Sequence, residues 1–245
     1  MARFRKKKDM KKVISLSVIV PAYNEQDSVS TTVMGLVTSL NQLNIDWQLI
    51  IVEDGSTDNT SKIIAHLAAK YINIKVIKHE SNFGIGRSFR DGVESADKEI
   101  VTWIPADGEN DLESLIEHFS LLEQADIIVP FVTNMNLRSW KRRFLSKLYL
   151  CIVNFSFGTM FNYTNGTIVY KRKVFEIVKP KSNGFFFNTE CLIKAVRSGF
   201  IFTEVPVLLK KRELGGSKAL NIKSFYCVIL EYVKLFLDVY IVKRD

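Results

Sequence analysis

The sequence predicts an α/β fold: a mostly parallel central sheet flanked by helices, with an amphipathic helix at the C-terminal end. Three observations lead there. Short apolar runs of buried-strand type alternate with stretches of helical periodicity, the rhythm of a parallel sheet with crossover helices. Three of those runs end in a carboxylate-bearing loop: Val18 to Glu25, Leu49 to Asp58 and Ile100 to Glu109. And 245 residues, 47% of them apolar, suffice for one domain with a real core. Parallel sheets bind ligands at the carboxyl ends of their strands. The three acidic loops are therefore expected to converge on one crevice, where carboxylates suit ribose hydroxyls, base N–H donors and a divalent cation carrying phosphate.

Each element has its own signal. Leu16 to Val20 reads as the first strand, and Asp27 or Ser28 as the cap of a helix running to Leu43. Trp47 to Val52 is the second strand. Asp58 or Thr60 caps a helix with Ile63, Ile64, Leu67 and Ala68 on one face. Strands at Ile74 to Ile77, Glu99 to Ile104 and Asp126 to Val129 alternate with helices at Gly84 to Ala96 and Asp111 to Glu123. After Pro130 the rhythm breaks. A basic loop, Thr133 to Arg143, leads to an apolar helix, and a short strand follows at Thr167 to Tyr170. A helix at Asn188 to Ser198, a strand at Phe202 to Val207 and a loop at Lys210 to Lys218 complete the domain. The divisions expected are a basic, disordered tail over residues 1–14, a catalytic-type domain over 15–218 and the terminal helix over 219–245.

The net charge of +8 is concentrated in Arg3 to Lys12, Arg138 to Arg143 and Lys210 to Arg212. The N-terminal run serves either as a solubilising tail or as an attraction to an anionic membrane surface. No nucleic-acid recognition module accompanies it, so nucleic acid is not expected as a partner. Cys151, Cys191 and Cys227 form no metal-type spacing and are expected to be reduced core thiols. No secretory signal precedes the first strand, and no stretch reaches the ~18 apolar residues of a spanning helix. The segments Phe144 to Phe161 and Phe225 to Val242 come nearest in character. In the second, Glu231, Lys234 and Asp238 share a helical face. That helix either packs on the core or lies in a membrane interface.

Within the loops, Pro21 ends strand pairing because it lacks an N–H. Tyr23 offers a ring and hydroxyl and Glu25 an acceptor pair, although the same run also serves as a turn and helix start. Asp54 sits at a strand tip with no capping role, so it suits a nucleobase or ribose. Asn82 to Arg87 follows a strand and opens a helix; its N–H groups and Arg87 suit an anion, but it is neither a dinucleotide fingerprint nor a Walker loop. Asp107 and Glu109, flanking Gly108, suit one hard cation that keeps waters and binds a diphosphate.

Together, Val18 to Glu25, Val52 to Thr60, Asn82 to Arg87 and Asp107 to Glu109 resemble the serial motifs of inverting family-2 glycosyltransferases with the GT-A fold. Within that family they look most like the dolichyl- and polyprenyl-phosphate sugar synthases. Phe186 to Leu192 resembles that subgroup's acidic helix start. Glu204 to Val207 and Arg212 to Lys218 resemble its closing strand and basic loop, so the likeness runs from Ser15 to Lys223. It implies that Pro21, Tyr23, Glu25 and Asp54 bind the donor's base and ribose, with Gly86 and Arg87 near its ribose and diphosphate. Asp107, also a donor contact, would join Glu109 in holding Mg²⁺ or Mn²⁺. Arg138 or Arg143, with Arg212, Ser217 and Lys218, would face phosphates. Asp107, Glu190 and Arg143 are the catalytic positions so implied.

The activity the resemblance implies is transfer of a sugar, with inversion, from a nucleotide-diphosphate donor (GDP-mannose or a UDP-sugar) to a polyprenyl or dolichyl phosphate. A phosphate acceptor is anionic near neutral pH and needs no strong base. A sugar hydroxyl would need one, and Glu190 is then the candidate. One departure bears on this: where the family carries Asp-x-Asp, the first position here is Pro105, which cannot ligate a metal through its side chain. A membrane-associated nucleotide-sugar binder without turnover is the corresponding alternative. The lipid acceptor implies a cytoplasmic protein, peripheral on the cytoplasmic face of a membrane.

Overall fold

The computed structural model describes residues 14–43, 45–107, 112–134, 140–208 and 222–241. Its first half repeats strand and helix: β1 (Ser15–Ala22), α1 (Val29–Gln42), β2 (Asp46–Glu53), α2 (Thr60–Lys70), β3 (Ile74–Lys78), α3 (Ile85–Glu94) and β4 (Ile100–Trp103). A single turn, α4 (Glu113–Ile116), and a 3-10 turn at Phe119–Glu123 replace the one helix expected over Asp111 to Glu123. Then come β5 (Ile127–Val132), α5 (Trp140–Phe157), β6 (Val169–Lys171), α6 (Val174–Ile177), α7 (Phe187–Arg197), β7 (Phe202–Val207) and α8 (Ile222–Tyr240).

The strands form one seven-stranded sheet in the order β3-β2-β1-β4-β6-β5-β7. Side-chain alternation sorts its two faces. Leu16, Val18, Val20, Leu49 and Ile51 join the core under α1 and α2, where Ile64 and Leu67 of α2 are buried as the periodicity predicts. Ile19, Ile50, Val52, Val101 and Trp103 face the other core, built with α3, α5, α7 and α8. Pro130 lies within β5 although proline breaks ladders. β6 pairs with β5 only at Ile127 and Ile128, so no β6 carbonyl awaits the missing N–H.

β6 is antiparallel to β4 and β5, while β1, β2, β3, β4, β5 and β7 run in one direction. The carboxyl ends of those six strands therefore open at one edge. β1 is the switch point, with β2 on one side and β4 on the other, where open α/β sheets form a binding crevice.

Two expectations need correction. Only Cys191 is a buried thiol, pushed up by burial; Cys151 and Cys227 are exposed. The terminal helix does not choose between core and surface. Leu235 is 3% exposed and packs on the core, whereas Tyr226, Ile229, Val233 and Leu237 stand in solvent.

Candidate active site

The loops after β1 and β2 are stitched together by side chains. The Asn24 N–H donates to Ser56 Oγ at 3.1 Å and the Glu25 N–H to Thr60 Oγ1 at 2.8 Å. In return the Thr57 N–H donates to Asn24 Oδ1 at 2.9 Å and the Asn59 N–H to Gln26 Oε1 at 3.1 Å. Asn24 holds a left-handed conformation (φ 51°), which its short amide tolerates. The N-cap of α2 is Asn59, without a side-chain cap bond, and not Asp58 or Thr60 as expected; Asp58, one residue earlier, accepts the Thr60 N–H at 2.9 Å and the Gln26 N–H at 3.3 Å. Across the switch point, the Ala106 N–H reaches Pro21 O at 3.3 Å and Thr32 Oγ1 reaches Ala106 O at 3.2 Å. This brings the Asp107 loop beside the Tyr23 loop. Tyr23 is 37% exposed at this edge.

Asp54 lies inside the wall of the crevice. It is 3% exposed, and its carboxylate accepts the N–H groups of Phe83 (3.0 Å) and Gly84 (2.9 Å) and faces Nδ1 of His79 at 2.6 Å. Its neighbour Glu53 accepts the Ser56 N–H through Oε1 at 2.6 Å, while its buried Oε2 has no hydrogen-bond partner among the described residues. Gly55 (φ 68°) lets the turn pass Ser81: a Cβ there would sit 2.4 Å from a Ser81 backbone atom.

Behind α3 runs a strap, residues 180–184, tied to three helices. The Gly86 N–H donates to Asn183 O at 2.7 Å, and Arg90 of α3 bonds Pro180 O and Asn183 Oδ1, both at 3.0 Å. Glu231 of α8 accepts the N–H groups of Asn183 and Gly184 at 2.9 and 3.0 Å. Glu190 of α7 accepts those of Lys181 and Ser182 at 2.9 and 2.7 Å.

A family model described as glycosyl transferase family 2 matches residues 17–178, the stretch holding all of these loops up to the start of the strap. The chain belongs to glycosyl transferase family 2. Among its relatives, polyprenol monophosphomannose synthase of Mycolicibacterium smegmatis is 28% identical over 82% of this chain and 79% of the relative. Undecaprenyl-phosphate 4-deoxy-4-formamido-L-arabinose transferase of Proteus mirabilis is 27% identical over 84% of this chain, which spans only 63% of that protein. Glucosyl-3-phosphoglycerate synthase of Mycobacterium tuberculosis, solved with Mn²⁺, uridine diphosphate and glucosyl-3-phosphoglycerate, superposes with a TM-score of 0.67. It is 19% identical, over 91% of this chain and 80% of that one. The fold is GT-A and the chain is a glycosyltransferase.

Within this family-2 framework several expectations change. Glu190 is not an available base. It is 2% exposed, and beside its two amide contacts it pairs with Lys194 Nζ at 2.5 Å. Burial pushes its pKa up, but the Lys194 ammonium, the Ser182 side chain and the Lys181 N–H outweigh that and hold it below the ordinary 4.5. A buried, paired, weakened base clamps the strap and is not placed to take a proton. Gly86 does not present its N–H to an anion either, because that N–H is bonded to Asn183. Glycine is required there for another reason: a Cβ would lie 2.4 Å from Ser182 O. Asp54 does not stand open to the crevice as expected of a base or ribose ligand, since its contacts fix the turn that precedes α3.

Arg87 fits its expectation better. It is half-exposed in the first turn of α3, its Nε donates to Asp91 at 2.7 Å, and that bond raises its pKa. Arg143 is half-buried in the first turn of α5, which follows the carboxyl end of β5. Glu109, Arg138, Arg212, Ser217 and Lys218 lie outside the described residues. No cluster of three potential metal ligands occurs among the described residues, where Asp107 is the only member of the expected cation pair. Asp107 fits a hard cation in chemistry and in place, since it leaves the buried end of β4 as a carboxylate at the switch point.

Sequence reasoning missed His79, Asp91 and the cross-loop stitching by Asn24, Gln26 and Ser56. The residue types were visible, but nothing in their spacing says that loops more than thirty residues apart will meet.

Proposed function

We propose that this family-2 chain transfers a sugar from a nucleoside-diphosphate donor to a polyprenyl-type lipid phosphate, with inversion at the anomeric carbon. The observation that carries the choice of acceptor is the state of Glu190. A hydroxyl acceptor needs a general base, and the carboxylate marked for that role is buried against Lys194 and two backbone amides. A phosphate acceptor is already a nucleophilic anion, so positioning and charge neutralisation suffice. The names of the two relatives, each with a polyprenol or undecaprenyl phosphate acceptor chemistry, support the same reading.

In this reading Pro21, Tyr23 and Glu25 meet the base and ribose, with Asp54 acting through the turn it fixes. Arg87 faces the diphosphate. Arg143, with Arg138, Arg212, Ser217 and Lys218, faces the phosphate of acceptor or donor, for which guanidinium forks are suited. Asp107 with Glu109 would hold Mg²⁺ or Mn²⁺, and a cation there supplies Lewis-acid stabilisation of the departing diphosphate. The solved neighbour's complex with Mn²⁺ and uridine diphosphate supports a divalent cation beside the donor.

The lipid acceptor places the reaction at a membrane surface, which we assign to α5 and α8. These helices are joined by a Ser156–Tyr232 hydroxyl contact of 2.6 Å and a Tyr240 bond to Ser156 O of 2.7 Å. Both present exposed apolar side chains, among them Phe144, Leu148 and Phe155 of α5 and Ile229, Val233 and Phe236 of α8. Among the described residues no helix is long and apolar enough to cross a membrane. In this reading these helices attach the protein peripherally, and we assign it to the cytoplasmic face of the membrane.

The test is release of nucleoside diphosphate from UDP- and GDP-sugars with added polyprenyl phosphate and Mn²⁺ or Mg²⁺. Turnover that requires the lipid phosphate, is lost with a chelator and falls at least a hundredfold in Asp107→Ala is expected. Turnover with a sugar acceptor alone would sink the lipid-phosphate reading. Pro105, in place of a carboxylate, favours one second reading, donor binding without turnover. Tight nucleotide binding with no release from any common donor would establish it.

A further inference from the structure

His79 is the first residue beyond β3, and its N–H continues the ladder to Glu53 O at 2.8 Å. Its buried ring stands between two carboxylates from different elements. Nδ1 is 2.6 Å from Asp54 Oδ1 at the tip of β2, and Nε2 is 3.0 Å from Asp91 Oδ2 on α3. A carboxylate only accepts, so both contacts are hydrogen bonds when both ring nitrogens carry hydrogen. Each carboxylate is bonded onward. Asp54 takes the Phe83 and Gly84 N–H groups, and Asp91 Oδ2 takes Arg87 Nε at 2.7 Å. The bond to Asp91 uses only Nε, leaving the terminal amino groups of the Arg87 fork for a bidentate anion. Phe83 completes the arrangement, edge-on to the His79 ring at 5.3 Å between centroids and under the Arg87 guanidinium at 5.9 Å.

We propose that His79 is a positioning residue for the donor site: by bridging Asp54 and Asp91 it locks the Phe83–Gly84 turn and aims Arg87 at the donor's diphosphate. This rests on the donor-binding reading above. His79 touches no substrate in it and acts through Arg87. Packing alone does not require a histidine, since phenylalanine fills the same space beside Phe83, but phenylalanine cannot join the two carboxylates.

The experiment is a double-mutant cycle read by affinity for UDP and GDP, with the melting temperature followed in parallel. His79→Phe is expected to weaken nucleotide binding about tenfold, the loss of a charge-assisted hydrogen bond, and Arg87→Ala by a similar factor. The double variant should bind no more weakly than the weaker single one, because the two losses act on one contact. A merely structural histidine would give losses that multiply. Asp91→Ala, on a helix where alanine is well tolerated, should match Arg87→Ala in nucleotide affinity, with a lowered melting temperature from the buried His79 Nε2 it leaves unpaired. It keeps the question answerable should His79→Phe not fold. Multiplying losses, or wild-type affinity in both His79→Phe and Asp91→Ala, would overturn the proposal while leaving the donor reading intact. Failure of the unaltered chain to bind either nucleotide would overturn both.

Discussion

At the scale of single residues, the strap and its anchors decide what the acidic residues do. Glu190→Ala leaves the Lys194 ammonium buried without its partner, and removing one member of a buried pair costs about 3–5 kcal/mol. Urea denaturation should show that loss, and nucleotide affinity of the folded fraction should be kept. A variant that stayed fully stable but lost turnover would restore Glu190 as a base. The pH dependence carries a second check. Because the folded pKa is held below the ordinary 4.5, the carboxylate stabilises the fold above that value and the contribution disappears as pH falls through the folded one. The acid limb of the stability curve should therefore be shallower in Glu190→Gln. Gly86→Ala forces a methyl against Ser182 O, and a loss of about 1–3 kcal/mol is expected by the same denaturation measurement. The sequence carried the identities of these residues but not their partners. Glu190 reads as a candidate base from its motif, and only the fold reveals that Lys194 pairs with it and that the strap closes over it.

At the scale of elements, α8 does two jobs with different faces. Glu231 and Asp238 share the side predicted from spacing, and that side meets the strap, Asp238 pairing with Lys181 at 2.8 Å. The side bearing Ile229, Val233 and Phe236 stays in solvent beside α5, whose Phe155 is 91% exposed. Charging that surface with Phe155→Glu and Val233→Glu should abolish sedimentation with anionic liposomes. Stability should change by no more than about 0.5 kcal/mol for each exposed site. Unchanged sedimentation would remove these helices from the membrane assignment. Periodicity showed that both segments were apolar helices. It did not show which stripe faces the core, because a helix apolar on more than one side has no single preferred burial.

At the scale of the whole molecule, the parallel sheet and the convergence of acidic strand ends were legible, since strands and helices alternate regularly through β5. What was not legible is the antiparallel insertion of β6, three residues long, whose direction depends on where a long connection returns. Net charge of +8 should also act over the whole surface. Liposome binding is expected to weaken steadily as salt shortens the Debye length from ~10 Å at 0.1 M toward ~3 Å at 1 M. Salt-independent binding would mean that apolar contact alone holds the protein there.

That inserted strand has a consequence for the order of assembly. β4 and β5 are consecutive in the chain, yet neither pairs with the other; β6 fills the place between them. A nascent chain that has emerged only through Val132 can build β3-β2-β1-β4, but β5 has nothing to dock on and β4 shows a bare hydrogen-bonding edge. Such edges recruit other chains. A fragment of residues 14–134 should accordingly form light-scattering aggregates at micromolar concentration, and extension to residue 208 should suppress them. A monodisperse fragment would refute this. The crevice at β1 is thus assembled early, while the β4 edge stays exposed until residues 169–171 close it.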